Sequence, residues 1–319
     1  MSHAHDSVLG AIGNTPLVAL DRLRAAEGVA PRVLAKLEYF GPGGSVKDRA
    51  ALSIIEEAEK DGRLRAGQMV VELTSGNMGI GLAVACAVKG YRFTAVMSEG
   101  NSRERWRVMK ALGARVVLVP QAAGGVPGQV TGEDLALVEK KAQELVRRHG
   151  AFRVDQFRNP ANPAAHRKGT GEEIWTQSGG KVDAFVAIAG TGGTFVGVSA
   201  ALKRHNHNVK CWVVEPAGAP VLAGRRVTSQ KHKIQGAGYA LTPEVWDPSL
   251  CDGYLTVTDR EAIRCARRLA RLEGVLSGFS GGANVAACLK LAEKLPGGST
   301  IVTLIPDTGL KYLSTDLFP

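Results

Sequence analysis

One lysine and three glycine-rich turns are the residues of this chain whose types and spacing suit chemistry. Lys47 ends the run Phe40-Gly41-Pro42-Gly43-Gly44-Ser45-Val46-Lys47 and is followed by Asp48 and Arg49. The apolar stretch 33–40 reads as a strand. Apolar positions at Val46, Ala50, Ile54, Ile55 and Ala58 predict a helix over about 45–60, with Ser45 as its cap. Lys47 then lies in the first turn of a helix, behind a loop of small residues. The partial positive charge of a helix N-terminus opposes an ammonium and favours the neutral amine. A neutral amine beside an open glycine loop is suited to forming a Schiff base. A first-turn lysine is more often simply solvated, so the rest of the chain has to decide.

Two further turns, Thr74-Ser75-Gly76-Asn77-Met78-Gly79 and Gly190-Thr191-Gly192-Gly193-Thr194, also follow strands and open helices. In an open α/β sheet such turns lie at the carboxyl ends of the strands, where ligands bind. The 190–194 turn is the best phosphate candidate. Successive backbone N–H groups at a helix N-terminus surround a dianion, and Thr191 and Thr194 add hydroxyl donors. It is not a dinucleotide fingerprint, because Phe195 stands where the last glycine belongs. The 41–47 turn is not a P-loop, because Val46 precedes the lysine. Each turn alone has a structural reading. Taken together they suit one cofactor that carries a phosphate and condenses with a lysine, pyridoxal phosphate.

The elements that must position these turns follow from periodicity. Strands are predicted at 69–73, 91–97, 114–119, 182–189, 210–215 and 299–305, and 152–157 starts the second half of the chain. Helices are predicted after 74–79, at 102–112 and 133–149, after 190–194, at 259–273 and after 277–283. Such alternation predicts an α/β fold of two domains, with mostly parallel sheets covered by helices. Residues 1–10 read as loosely held. A length of 319 residues with 45% hydrophobic content suits two domains with sizeable cores. No apolar run reaches membrane-spanning length and no signal peptide is apparent. Cys86, Cys211, Cys251, Cys265 and Cys288 are scattered without a Cys-x-x-Cys pair, which points to a reducing cytoplasm with no disulfide framework and no zinc site. The net charge of +10 is spread over helix faces such as 103–107 and 264–271, read as solvated. Aromatics make up only 5%, too few for nucleic-acid stacking. His205 and His207 read as a surface turn, not a metal site.

The residues quoted resemble the cysteine synthase/cystathionine β-synthase group of fold-type II pyridoxal-phosphate enzymes over nearly the whole chain. The matching stretches are 12–18, 36–49, 72–82, 155–166, 190–197, 232–236 and 307–318. The resemblance implies a smaller substrate-binding domain at 36–150 and a larger phosphate-binding domain from 1–35 and 151–319. It implies that Lys47 carries the cofactor and Asn77 bonds its 3-hydroxyl. Gly190, Thr191, Gly192, Gly193 and Thr194 would hold its phosphate, and Ser280 would face the pyridine nitrogen. Thr74, Ser75, Asn77, Met78, Gln156 and Gly236 would border the amino-acid substrate, with Thr74, Ser75, Asn77 and Gln156 receiving its carboxylate. The usual assembly is a homodimer, and serine acetyltransferase is a possible partner.

The chemistry implied is β-replacement on an activated serine such as O-acetylserine, with Lys47 as general base and sulfide giving L-cysteine. A neutral hydroxyl at Ser280 leaves the pyridine ring a weaker electron sink, which favours elimination over transamination. Several positions depart from the family pattern. Met78 replaces a threonine, as in plant β-cyanoalanine synthases, and opens cyanide as a nucleophile. Gly41 and Leu73 replace Asn and Pro. Gly281 replaces a second serine, 235–239 is two residues short, and the 120–132 loop is long. Arg225 and Arg226 read as a solvated pair in preference to a site for a phosphorylated donor. The alternatives are another β-substituted alanine synthase, a cysteine desulfhydrase or β-lyase, and a non-catalytic regulatory protein on the same scaffold.

Overall fold

The computed structural model describes residues 4–126 and 130–318. Pro127, Gly128 and Gln129, within the long 120–132 loop, lie outside the described residues. Near its start the chain forms a 3₁₀ turn, Val8–Ala11, in which Ser7 Oγ accepts the Leu9 N–H. That turn is more ordered than the sequence reading of this end. Then come β1 (Leu17–Ala19), α1 (Asp21–Glu27) and β2 (Arg32–Leu37). They are followed by α2 (Lys47–Lys60), β3 (Met69–Leu73), α3 (Asn77–Lys89), β4 (Arg92–Ser98), α4 (Arg103–Ala111), β5 (Arg115–Val119), α5 (Gly132–His149) and β6 (Phe152–Arg153). The remainder is α6 (Ala161–Ala165), α7 (Gly171–Gln177), β7 (Ala184–Ile188), α8 (Gly193–His205), β8 (Lys210–Pro216), β9 (Gly253–Val257), α9 (Asp259–Arg268), α10 (Phe279–Ala292) and β10 (Thr300–Ile305).

The chain divides into two compact units. One takes Met1–Gly13 and Gly41–Asn162, the other Asn14–Phe40 and Pro163–Pro319. The sequence reading puts the divisions near 36 and 150 and groups 1–35 with the larger unit.

The smaller unit is built on a four-stranded parallel sheet in the order β5-β4-β3-β6. Its strands are apolar on both faces, as a covered parallel sheet requires. Val70, Phe93, Ala95 and Met97 pack with Ala50, Ile54 and Ile55 of α2 and with Leu82 of α3. Val71, Leu73 and Val96 point the other way, onto Val138, Ala142 and Leu145 of α5. The period-two alternation along each strand thus assigns the helices to opposite faces.

The larger unit has six strands in the order β1-β2-β10-β7-β8-β9, all parallel except the edge strand β1. One face carries α9 and α10 against Val33, Ala35, Val186 and Ile301. The other carries α7 and α8 against Leu34, Phe185, Val213 and Val302. Nearly every residue of α10 is buried, which matches its apolar character all round.

One expected element ends early. The 33–40 strand leaves the sheet at Leu37, where 38–40 coil into a 3₁₀ turn and the buried Glu38 accepts a 2.8 Å bond from Thr15. Where the second half starts, 152–157, a strand forms at Phe152–Arg153 and Asp155 then turns the chain with φ +51°. The helix begun at Asp259 widens into a π turn over Leu269–Glu273 and closes at Gly274 with φ +67°. Helices α1 and α7 and strand β9 add to the elements read from periodicity. Among the described residues no helix is long and apolar enough to cross a membrane.

Candidate active site

In the smaller unit, Lys47 is the first residue of α2 and is half-buried. Burial lowers its amine from the usual 10.5 to about 8, so desolvation favours the neutral form, as the helix end does in the sequence reading. Ser45 is not the cap of this helix. Val46 holds the cap position without a side-chain bond, and Ser45 Oγ lies 3.4 Å from the Lys47 N–H. The loop is instead held by the buried Asp48, whose Oδ2 accepts the Gly43 N–H at 2.8 Å. A Cβ on Gly43 would drive into that carboxylate, and one on Gly41 would lie 2.5 Å from its Oδ2. Gly81 lets α3 pass against the same turn, since an added Cβ would lie 3.1 Å from the Lys47 carbonyl oxygen.

Thr74 to Gly79 form a tight turn into α3. The Thr74 side chain is buried, and its Oγ1 accepts the Gly76 N–H at 3.0 Å and the Gly79 N–H at 2.9 Å. With both lone-pair directions engaged, the hydroxyl has only its own hydrogen left to give. That makes it a donor suited to a carboxylate. Ser75 and Asn77 are half-buried in the same turn, at the N-terminus of a helix, where anions bind favourably. Replacing Thr74 with Val leaves two buried N–H groups without their acceptor. It is expected to destabilise the fold by about 2 kcal/mol or more, while Thr74→Ser keeps the acceptor and most of the stability. Urea unfolding of the two variants measures the difference.

Met78 packs in the apolar core of the smaller unit at 2% exposure. Gln156 is also buried, and its side-chain amide is committed inward. Nε2 donates to Glu72 Oε1 and to the Leu73 carbonyl, both at 3.1 Å. To donate to a substrate carboxylate, Gln156 has to give up one of these bonds.

Glu72, fully buried, also accepts the Asp155 N–H at 2.9 Å and pairs with Arg153. Burial pushes its carboxyl up from 4.5 to about 7, against the pull of Arg153 and the two backbone N–H donors. The folded chain therefore holds this proton more tightly than the unfolded chain. The resulting stability is complete below pH 4.5 and is lost as pH rises through about 7. Glu72→Gln is expected to remove a slope on the order of 3 kcal/mol across that window. Unfolding free energies of the two proteins at several pH values test this.

In the larger unit, 190–194 joins β7 to α8. Gly192 takes φ +82° and Gly193 opens the helix. Thr194 Oγ1 lies 3.2 Å from Nε2 of the buried His166, whose Nδ1 lies 3.0 Å from Thr170 Oγ1. His166 begins a π turn, His166–Thr170, of the kind found at functional sites. Gly236, with φ +86°, brings its carbonyl against Gly190. Ser280 Oγ donates to the Gln235 carbonyl at a loose 3.4 Å, a bond readily traded for a ligand. The fold thus gathers Gly190, Thr191, Gly192, Gly193, Thr194, Gly236 and Ser280 around one cluster of loops. These backbone donors at a helix N-terminus, flanked by threonine hydroxyls and free of an opposing carboxylate among the residues named, fit a phosphate.

The family profile described as pyridoxal-phosphate dependent enzyme matches residues 8–307. The chain belongs to the pyridoxal-phosphate dependent enzyme family. A cysteine synthase of Staphylococcus aureus is 42% identical over 314 residues, which cover 98% of this chain and 97% of the relative. The crystal structure of an O-ureido-L-serine synthase is 41% identical with a TM-score of 0.90, covering 99% of this chain and 96% of that one. A hydrogen sulfide-producing enzyme from Fusobacterium nucleatum is 39% identical with a TM-score of 0.89, covering 97% of this chain and all of that one. This pyridoxal-phosphate dependent enzyme is therefore similar to cysteine synthases along its whole length.

Sequence reasoning missed four contributors to these loops: Asp48, Glu72, His166 and Arg105. Asp48, Glu72 and His166 fall within stretches that carry the resemblance, but nothing in their spacing reveals their partners. Arg105 was read as part of a solvated basic face. It is instead 2% exposed beneath the 74–79 turn.

Proposed function

We propose that this enzyme replaces the leaving group on the β-carbon of O-acetylserine with sulfide, giving L-cysteine. The observation that carries the proposal is Lys47, the first residue of α2 behind a loop pinned by the Gly43–Asp48 bond, on the run that the resemblance assigns to the cofactor. When bound, pyridoxal phosphate supplies the aldehyde that joins an amine and the electron sink that weakens the α-C–H bond. We assign its attachment to Lys47, its 3-hydroxyl to Asn77, its phosphate to 190–194 and its ring nitrogen to Ser280. The Thr74 hydroxyl, with Ser75 and Asn77, orients the substrate carboxylate. Neutral Lys47 Nζ takes the α-proton as acetate departs from the β-carbon, and returns it to the α-carbon after sulfide has added to the β-carbon. The hydroxyl of Ser280 adds no charge at the ring nitrogen, which suits elimination.

The hydrogen sulfide-producing relative supports a second reading, in which the reaction runs from cysteine toward sulfide. Met78 keeps cyanide among the nucleophiles to be tried. Product analysis decides between these. Purified holoenzyme given O-acetylserine with sulfide, O-acetylserine with cyanide, or cysteine alone is expected to form L-cysteine fastest in the first mixture. Sulfide release from cysteine at a greater rate would make it a desulfhydrase. We further propose a homodimer, to be read from the mass in solution by light scattering.

A further inference from the structure

Arg105 stands in the first turn of α4, where the helix macrodipole disfavours a cation. It is also buried, at 2% exposure, where an arginine is costly unless its bonds are good. Nη1 donates to the Ser75 carbonyl at 2.5 Å. The stem of Arg105 fills the space under Gly76, so that a Cβ there would lie 3.0 Å from Arg105 Cγ. Gly76 itself takes φ +134°, ψ −64°, a conformation closed to ordinary side chains. The Ser75 carbonyl and the Gly76 N–H belong to one planar peptide group. That N–H donates to Thr74 Oγ1 at 3.0 Å. The bonds run in one direction: guanidinium to carbonyl, then peptide N–H to hydroxyl oxygen, which leaves the hydroxyl hydrogen to be given. Each polarises the next in the same sense.

We propose that Arg105 is a positioning residue for the substrate carboxylate. It acts through the Ser75–Gly76 peptide on the Thr74 hydroxyl, without touching the substrate. The guanidinium fixes the strained peptide and strengthens its N–H as a donor, and the Thr74 O–H becomes a stronger donor in turn. This inference rests on the reading that the 74–77 turn receives an amino-acid carboxylate.

The test uses the holoenzyme and its Arg105→Lys variant, which keeps a charge but loses the planar fork. The change in the cofactor's visible absorption on adding O-acetylserine gives the half-saturating concentration, and cofactor fluorescence gives the cofactor affinity. The variant is expected to need at least about tenfold more amino acid, with cofactor affinity within about twofold of the unaltered protein. Unchanged amino-acid affinity, or an equal loss of cofactor, overturns the inference. In a double-mutant cycle with Thr74→Val, the two losses are expected not to add; additive losses overturn it. If Arg105→Lys does not fold, a crystal structure of the unaltered holoenzyme with a bound amino acid decides. A carboxylate on the Thr74 hydroxyl with Arg105 still on the Ser75 carbonyl supports the inference, and a carboxylate bonded directly to Arg105 overturns it. An unaltered holoenzyme that answers to no amino acid fails the proposed function itself, a result distinct from a responsive protein indifferent to Arg105.

Discussion

Replacing Lys47 with alanine is expected to lower cysteine formation by at least about 10³-fold, because one amine is assigned both the attachment of the cofactor and the movement of the α-proton. Borohydride treatment is expected to fix the cofactor covalently to the unaltered chain and not to the variant. A second measurement reads the amine itself. Only the neutral amine attacks an aldehyde, and burial brings Lys47 down from 10.5 to about 8. The rate at which cofactor-free protein captures pyridoxal phosphate is therefore expected to climb about tenfold per pH unit below this value and to level off above it. A lysine of ordinary basicity would keep climbing toward pH 10.5. Turnover surviving in Lys47→Ala would remove Lys47 from its assigned roles, and a capture rate still climbing in that upper range would show that burial leaves its amine at ordinary basicity.

The α/β architecture was legible because the strands are apolar runs bounded by glycine turns, and period and punctuation agree. The turns at 41–47, 74–79 and 190–194 were legible for a related reason. Backbone that must approach a ligand or a neighbouring chain closely leaves glycine in the sequence, and Gly43, Gly76 and Gly190 each face an atom that a Cβ would strike. What holds those turns was not legible. Arg105 looks like any charged residue of an amphipathic helix, and its partner, Ser75, lies 30 residues away on another loop. Glu72 sits in an apolar strand, where its charge is matched by Arg153, 81 positions later. Local pattern carries no record of pairings that only the folded sheet creates. The π turn that brings His166 to Thr194 is hidden for the same reason. One extra residue per turn leaves no trace in a helical period of 3.6. Ser45 shows the converse failure. Its type suits a cap, yet the side chain that organises the loop is Asp48, one residue inside the helix.

Gly190→Ala is expected to damage the larger unit at the phosphate turn itself. The added methyl would run into the Gly236 carbonyl oxygen. That oxygen is backbone, and it cannot swing aside as a side-chain tip would. Either the 190–194 turn or the 235–238 segment has to move. Overpacking of this kind costs about 1–3 kcal/mol, measurable as a lowered urea midpoint with an unchanged slope. The segment is also tied to its surroundings, since the Gly238 N–H donates to the Ala189 carbonyl at 3.3 Å and Gln235 accepts from Ser280. A shift there disturbs the phosphate turn and the residue assigned to the ring nitrogen together. Affinity for pyridoxal phosphate is therefore expected to fall by about tenfold or more, since each phosphate bond is charge-assisted. Gly298→Ala is the matched control: no atom lies within 4 Å of its added methyl, and both stability and cofactor affinity are expected to stay as they were. A Gly190→Ala protein that unfolds more readily but binds the cofactor as tightly as before would separate the turn's packing from phosphate binding, and the phosphate would have to be sought at another helix N-terminus.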